Sequence, residues 1–190
     1  MTLSILIPVT LSHEQQFKML INHLMSQIVD GNGVQIISRI SKAAIHGGPS
    51  TGSKRQELLN ESVGKYVVFI DADDWVPDYY VSEMLIACAS DCDCIAINGT
   101  MTTNGAHETK WFISKDYQNK DVREGNKMVY YRRTNHITAV KREIALRAGF
   151  PDKSNAEDKH YSDRLVLHTE FKIEKPMYTY RFSTVNKQYK

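Results

Sequence analysis

Cysteine is scarce in this chain: three among 190 residues, Cys88, Cys92 and Cys94, crowded into one short stretch and odd in number. No disulfide framework can be read from them, and a reducing, cytoplasmic setting is the simpler expectation. The C-x-C pair has no second pair to complete a zinc site, so these thiols read as buried packing. No apolar run approaches the ~20 residues that a membrane helix needs, and the opening segment lacks the basic leader of a signal peptide. The expectation is therefore a protein with no membrane span. Neither sign of charge is in excess, with a net charge of +2, too small by itself to argue for a nucleic-acid or membrane surface. Internal repeats and dividing linkers are also missing. The length suits one α/β domain, 1–190, with a real core.

What the chain does have is a focal stretch, YVVFIDADD at residues 66–74. Residues 66–70 form an unbroken apolar, β-favouring run, the pattern of a strand buried on both faces of a mostly parallel sheet. The run ends in Asp71, Asp73 and Asp74. Three negative charges so close are costly unless a cation or hydrogen-bond donor sits among them. The carboxyl end of a central strand in an open α/β sheet is also where ligands bind. An isolated D-x-D is more often a solvated acidic turn that caps the next helix.

Around this stretch the order reads as strand (3–9), helix (from 13, capped by Ser12), strand (34–40), a βαβ unit. After a glycine and proline loop at 46–52, S-x-x-Q at 53–56 reads as a capping box, with Gly64 as the stop. That places Lys54 and Arg55 in a helix's first turn, unfavourable against the helix dipole unless an anion is shared there. Pro77 and Asp78 start a further helix. Residues 94–98 and 110–114 read as strands with a turn at 99–105 between them, and 115–127 has no clear period. Residues 126–140 lead into the only dense basic stretch, Lys127, Arg132, Arg133 and Lys141. A short helix at 141–148 ends at Gly149. Asn155 is placed as the cap of a helix carrying Glu157 and Asp158 in its first turn, and 171–180 reads as a final strand.

Three segments, SILIPV, GSKRQELLNESVGKYVVFIDADDW and KREIALRAGFPDKSNAEDKHYSDRL, together resemble a family 2 glycosyltransferase of GT-A fold, of the small bacterial or phage type. The match covers almost the whole chain. The D-A-D-D-W block and the E-D pair about eighty residues later carry it. The resemblance implies one Rossmann-like α/β domain with a mostly parallel sheet, and a nucleotide-sugar donor, a UDP-sugar by expectation, bound with Mn²⁺ or Mg²⁺. It assigns Asp73 as metal ligand, Asp71 to the metal's surroundings or the donor's ribose, and Asp74 to either role. It places Lys54 and Arg55 near the nucleotide, Asp158 as inverting base and Glu157 as its orienting neighbour. Relatives carry an acidic turn after the second strand to bind the nucleoside. Residues 37–40 here, Ile-Ser-Arg-Ile, offer no carboxylate.

The chemistry agrees with that assignment. A departing nucleoside diphosphate gathers negative charge, which a divalent ion with Lys or Arg stabilises, and a carboxylate can take the proton of an attacking hydroxyl. Trp75 is placed against the sugar, and His136 lining the site, although a lone histidine is more often structural. The acceptor reads as a glycan hydroxyl or a hydroxylated base in DNA, the latter hinted at only by the basic stretch. A metal-dependent nucleotidyltransferase is the competing class, but it calls for a glycine loop after the first strand that residues 10–14 lack.

Overall fold

The structure, a computed structural model, describes residues 1–182. Its axis is β1 (Leu3–Thr10), which lies parallel to β2 (Val34–Ser41) on one side and to β3 (Tyr66–Phe69) on the other. Along β1 the side chains alternate. Leu3, Ile5, Ile7 and Val9 join one apolar cluster and Leu6 the other. In β3 the same alternation sends Tyr66 and Val68 one way, Val67 and Phe69 the other. Both faces of β3 are therefore covered, which is why its sequence is a continuous apolar run.

The first face is closed by α1 (Glu14–Ser26), through Phe17, Leu20 and Leu24, and by α3 (Tyr80–Cys88), through Tyr80, Val81, Met84 and Ala87. The second is closed by α2 (Thr51–Glu61), α4 (Arg142–Ala148) and α5 (Glu157–Arg164), through Leu58, Leu59, Ile144, Ala145 and Tyr161. The sheet continues through β4 (Cys94–Thr103), β5 (Ala106–Ile113), β6 (Lys120–Glu124), β7 (Lys127–Arg132), β8 (Val140–Lys141) and β9 (Glu170–Phe182). Its order is β2-β1-β3-β8-β4-β5-β7-β6, with β9 beside β4. The β2-β1-β3 part is parallel as expected. Beyond it the sheet is mixed, because β8 runs antiparallel to β3 and β4 while β9 runs parallel to β4.

Several boundaries fall elsewhere than the sequence suggests. The cap of α2 is Ser50, whose Oγ accepts the Ser53 amide at 3.0 Å and donates to Asp152 at 2.6 Å. Asp152, about a hundred residues away, accepts from the Ser53 hydroxyl as well, at 2.5 Å, and so ties both serines of this turn. Lys54 and Arg55 consequently lie beyond the first turn, and α2 ends at Glu61 with Ser62 as its C-cap rather than at Gly64. Ser12 belongs to a 3₁₀ turn, Leu11–His13, and caps nothing with its side chain. Asn155 does not cap α5. Ala156 does, in a left-handed conformation at φ 56°. Helix α3 starts at Tyr80, past Pro77 and Asp78.

β4 runs through Gly99, where the sequence suggests a turn. A Cβ there would lie 2.0 Å from the Tyr178 carbonyl oxygen and 2.5 Å from the Trp111 ring, so close approach of β9, not turning, is what this glycine serves. The stretch without a clear period contains β6, an edge strand whose mostly exposed, charged side chains carry no burial pattern.

Candidate active site

The last pairing of β1 with β3 joins Leu6 to Phe69, yet β1 continues to Thr10. The chain beyond Phe69 is free to turn, and it does so tightly, with the Asp74 amide donating to the Asp71 carbonyl at 3.0 Å. This turn points three carboxylates at three different environments. Asp74 is buried. It accepts the Tyr178 hydroxyl at 2.7 Å and the Arg181 amide at 2.8 Å, while the same hydroxyl accepts the Asp71 amide at 3.1 Å. Burial, and then repulsion from Asp71 and Asp73, push its pKa well above the usual carboxylate range. Asp74 thus fastens β9 to the turn, and both of its oxygens are occupied.

Asp71 is held by Arg55, whose Nη2 donates to Oδ1 at 2.8 Å. Burial would raise its pKa, but Arg55 and His136 together outweigh that and keep the carboxyl well below its ordinary value. The other end of the guanidinium, Nη1, donates to Glu157 Oε1 at 2.5 Å, and Nη2 also meets His136 Nε2 at 3.0 Å. Since arginine only donates, that imidazole nitrogen is the acceptor and the ring proton sits on Nδ1. Nδ1 is buried without a partner among the described residues. Arg55, at 4% exposure, is therefore a hub inside the wall of the site, with both Nη atoms engaged and Nε without a hydrogen-bond partner among the described residues.

The hub joins two helices that sequence leaves unconnected. Their approach depends on Gly52, where a Cβ would fall 1.9 Å from the Pro151 carbonyl oxygen, and whose amide donates to the Lys153 carbonyl at 3.0 Å. Glu157 opens α5 and is buried against Arg55. Asp158 follows it and lines the cleft, with Oδ1 accepting the Lys159 amide at 2.8 Å. Its Oδ2 has no hydrogen-bond partner among the described residues.

Lys54 is as buried as Arg55 but has no carboxylate within ion-pair distance among the described residues. Its Nζ donates to Thr10 Oγ1 at 3.3 Å. Burial, and then the neighbouring Arg55 charge, lower its pKa. A buried cation without an anion of its own, on the wall of a cleft, is a ready partner for one.

These groups surround a cleft of about 830 Å³ at the carboxyl ends of β1 and β3. Lys54, Arg55, Asp71, Asp73, Asp74, His136, Glu157 and Asp158 all line it. Trp75, placed against the sugar by the sequence reading, lies elsewhere. Its ring stacks on His23 at 4.5 Å, with the Arg181 guanidinium 4.9 Å from its centroid, and its backbone bridges to Thr179. The residue after the turn is claimed by β9, which no local pattern announces.

The cleft also has residues the sequence reading missed. Thr10 and His13 come from the end of β1, a position the strand's carboxyl edge itself marks. Trp111, Tyr130 and Tyr180 come from strands folded back from far along the chain, with no motif to flag them. The basic stretch turns out to be largely compensated: Arg132 pairs with Asp121 at 2.7 Å, Arg133 with Asp163 at 3.6 Å and Lys141 with Asp91 at 3.0 Å.

Among the described residues, no three His, Cys, Asp or Glu side chains gather as a metal cage. An ion shared with a diphosphate needs only one or two protein ligands. Asp73 fits that requirement. Its carboxylate is partly exposed, and His13 Nδ1 lies 3.9 Å from its Oδ2. Among the described residues no helix is long and apolar enough to cross a membrane.

No protein-family model matches this sequence, and no curated protein does. The fold, however, is similar to solved structures. For S. aureus TarS 1–349 in complex with UDP the TM-score is 0.68 at 15% identity, covering 96% of this chain and 61% of that one. For the complex of TarS 1–349 with UDP-GlcNAc the TM-score is 0.64 at 12% identity, covering 95% and 58%. The chain thus spans about three fifths of the length of those TarS chains. The bifunctional IspDF from Campylobacter jejuni is more distant, at a TM-score of 0.50 and 9% identity, covering 92% and 50%.

Proposed function

We propose that this chain is an inverting glycosyltransferase that moves a sugar from a UDP-sugar to an acceptor hydroxyl, with a divalent ion at Asp73. The observation that carries the reading is the single cleft in which the D-x-D turn, the unpaired Lys54 and the Glu157–Asp158 step meet. The fold likeness to a protein solved with UDP and with UDP-GlcNAc supports the choice of donor.

Each group then has a task that its surroundings suit. Lys54 binds the donor's diphosphate and offsets the charge that grows on it as the glycosidic bond breaks. Arg55 binds no ligand in this reading and sets the distance between the D-x-D turn and α5. Asp158 takes the proton from the acceptor hydroxyl at Oδ2 as the oxygen attacks the anomeric carbon, and its helix-start position fixes the carboxylate's direction. The ion, when bound, neutralises the leaving diphosphate. The acceptor in this reading is a glycan hydroxyl.

Nucleotide release from a panel of nucleotide-sugars, with Mn²⁺ and with EDTA, tests the reading. Release from UDP-sugars alone, abolished by EDTA, is the expected result. Indifference to the sugar nucleotide, or release of pyrophosphate instead, would discard it.

A further inference from the structure

His13 has no part in the donor chemistry described so far, yet it faces the Asp73 carboxylate of the D-x-D turn. It ends the 3₁₀ turn that follows β1, and β1 outruns β3 far enough to bring that turn to Asp73. Its Nδ1 lies 3.9 Å from Asp73 Oδ2, with both side chains partly exposed, at 17% and 22%. The gap is too long for a hydrogen bond. Neither group has another hydrogen-bond or ion-pair partner among the described residues.

We infer that His13 is a second protein ligand of the divalent ion, so that the site prefers a first-row transition ion to Mg²⁺ or Ca²⁺. With metal–ligand bonds of roughly 2.1 Å, closing the pair by about 1 Å would place its two atoms on adjacent corners of an octahedron. A nitrogen beside a carboxylate changes what the site selects. Carboxylate, phosphate and water alone favour Mg²⁺ or Ca²⁺, whereas an imidazole adds affinity for transition ions along the series from Mn²⁺ upward. The inference takes the ion from the function proposed above, but its test needs neither donor nor acceptor.

The probe is Mn²⁺ alone, titrated into the full chain and followed by electron paramagnetic resonance, with Mg²⁺ as competitor. In the wild type, bound Mn²⁺ is expected to show modulation from a coupled ¹⁴N nucleus and to resist displacement by about a tenfold excess of Mg²⁺. His13→Ala should abolish the nitrogen coupling and weaken Mn²⁺ by at least the 10- to 100-fold that loss of a ligand's supporting contact costs, leaving Mg²⁺ affinity unchanged. Asp73→Ala should weaken both ions. Circular dichroism and melting check that each variant is folded. Mn²⁺ bound without nitrogen coupling, equal affinity in His13→Ala, or no Mn²⁺ binding by the protein alone would each overturn the inference. UDP release dependent on metal would meanwhile leave the glycosyltransferase reading standing.

Discussion

Arg55 and Glu157, 102 residues apart in sequence, meet in a buried charged hydrogen bond of 2.5 Å, and the other arm of the same guanidinium holds Asp71 at 2.8 Å. One side chain therefore fixes the D-x-D turn relative to the helix that carries the proposed base. Such a bridge sets geometry, and its removal strands the buried Glu157 and the part-buried Asp71.

For Arg55→Ala the expected loss is first one of stability, about 3–5 kcal/mol, the usual cost of breaking a buried ion pair by removing one partner. Urea denaturation measures it. Arg55→Lys should recover part of the stability but not the two-armed grip, because an ammonium cannot bridge two carboxylates in a fixed plane. A variant as stable as the wild type would show that the hub is dispensable.

Lys54 should behave in the opposite way. Burial already disfavours its charge, so Lys54→Met is expected to leave stability unchanged or raise it, while UDP affinity falls by roughly 1.5–3 kcal/mol, the range for a hydrogen bond to a charged group. Calorimetry beside a melting curve separates the two effects. Unchanged UDP affinity would remove Lys54 from the donor site.

Asp158→Asn addresses the chemical step. Turnover should fall by ~10² to 10⁴ with UDP affinity nearly intact, since a general base acts on the acceptor proton and not on the nucleotide. The substitution also removes a charge from the first turn of α5, worth a few tenths to ~1 kcal/mol, so the melting temperature belongs in the same experiment. Wild-type turnover in a folded Asn variant would place the base elsewhere.

Asp74 and Asp71 give stability two opposed dependences on pH. The Asp74 carboxyl is raised in the folded protein, which holds its proton more tightly than the unfolded chain does. Stability from this group is full below the ordinary carboxylate range and declines as pH rises through the raised value. Asp71 is depressed, so its contribution is present above the ordinary range and is lost only as pH falls toward the depressed value. Asp74→Asn should remove the first dependence alone. Measured by urea denaturation, its stability relative to wild type should improve as pH rises from acid to neutral, and parallel curves would refute this.

The sequence by itself determined the α/β class, the parallel β2-β1-β3 start and most of the cleft's charged residues. It could do so because those features are local: a two-face-buried strand writes itself as an apolar run, and its carboxyl end is a fixed place in such a sheet. It could not apportion the aspartates. Asp71, Asp73 and Asp74 are chemically identical in sequence, and only the arrival of Arg55, His13, Tyr178 and the Arg181 amide gave each a separate role. The same holds for Trp75, a site residue by position but drawn away by His23 and Arg181. Tertiary structure decided these matters because burial, pairing and the spacing between α2 and α5 depend on contacts about a hundred residues apart, which no local periodicity encodes.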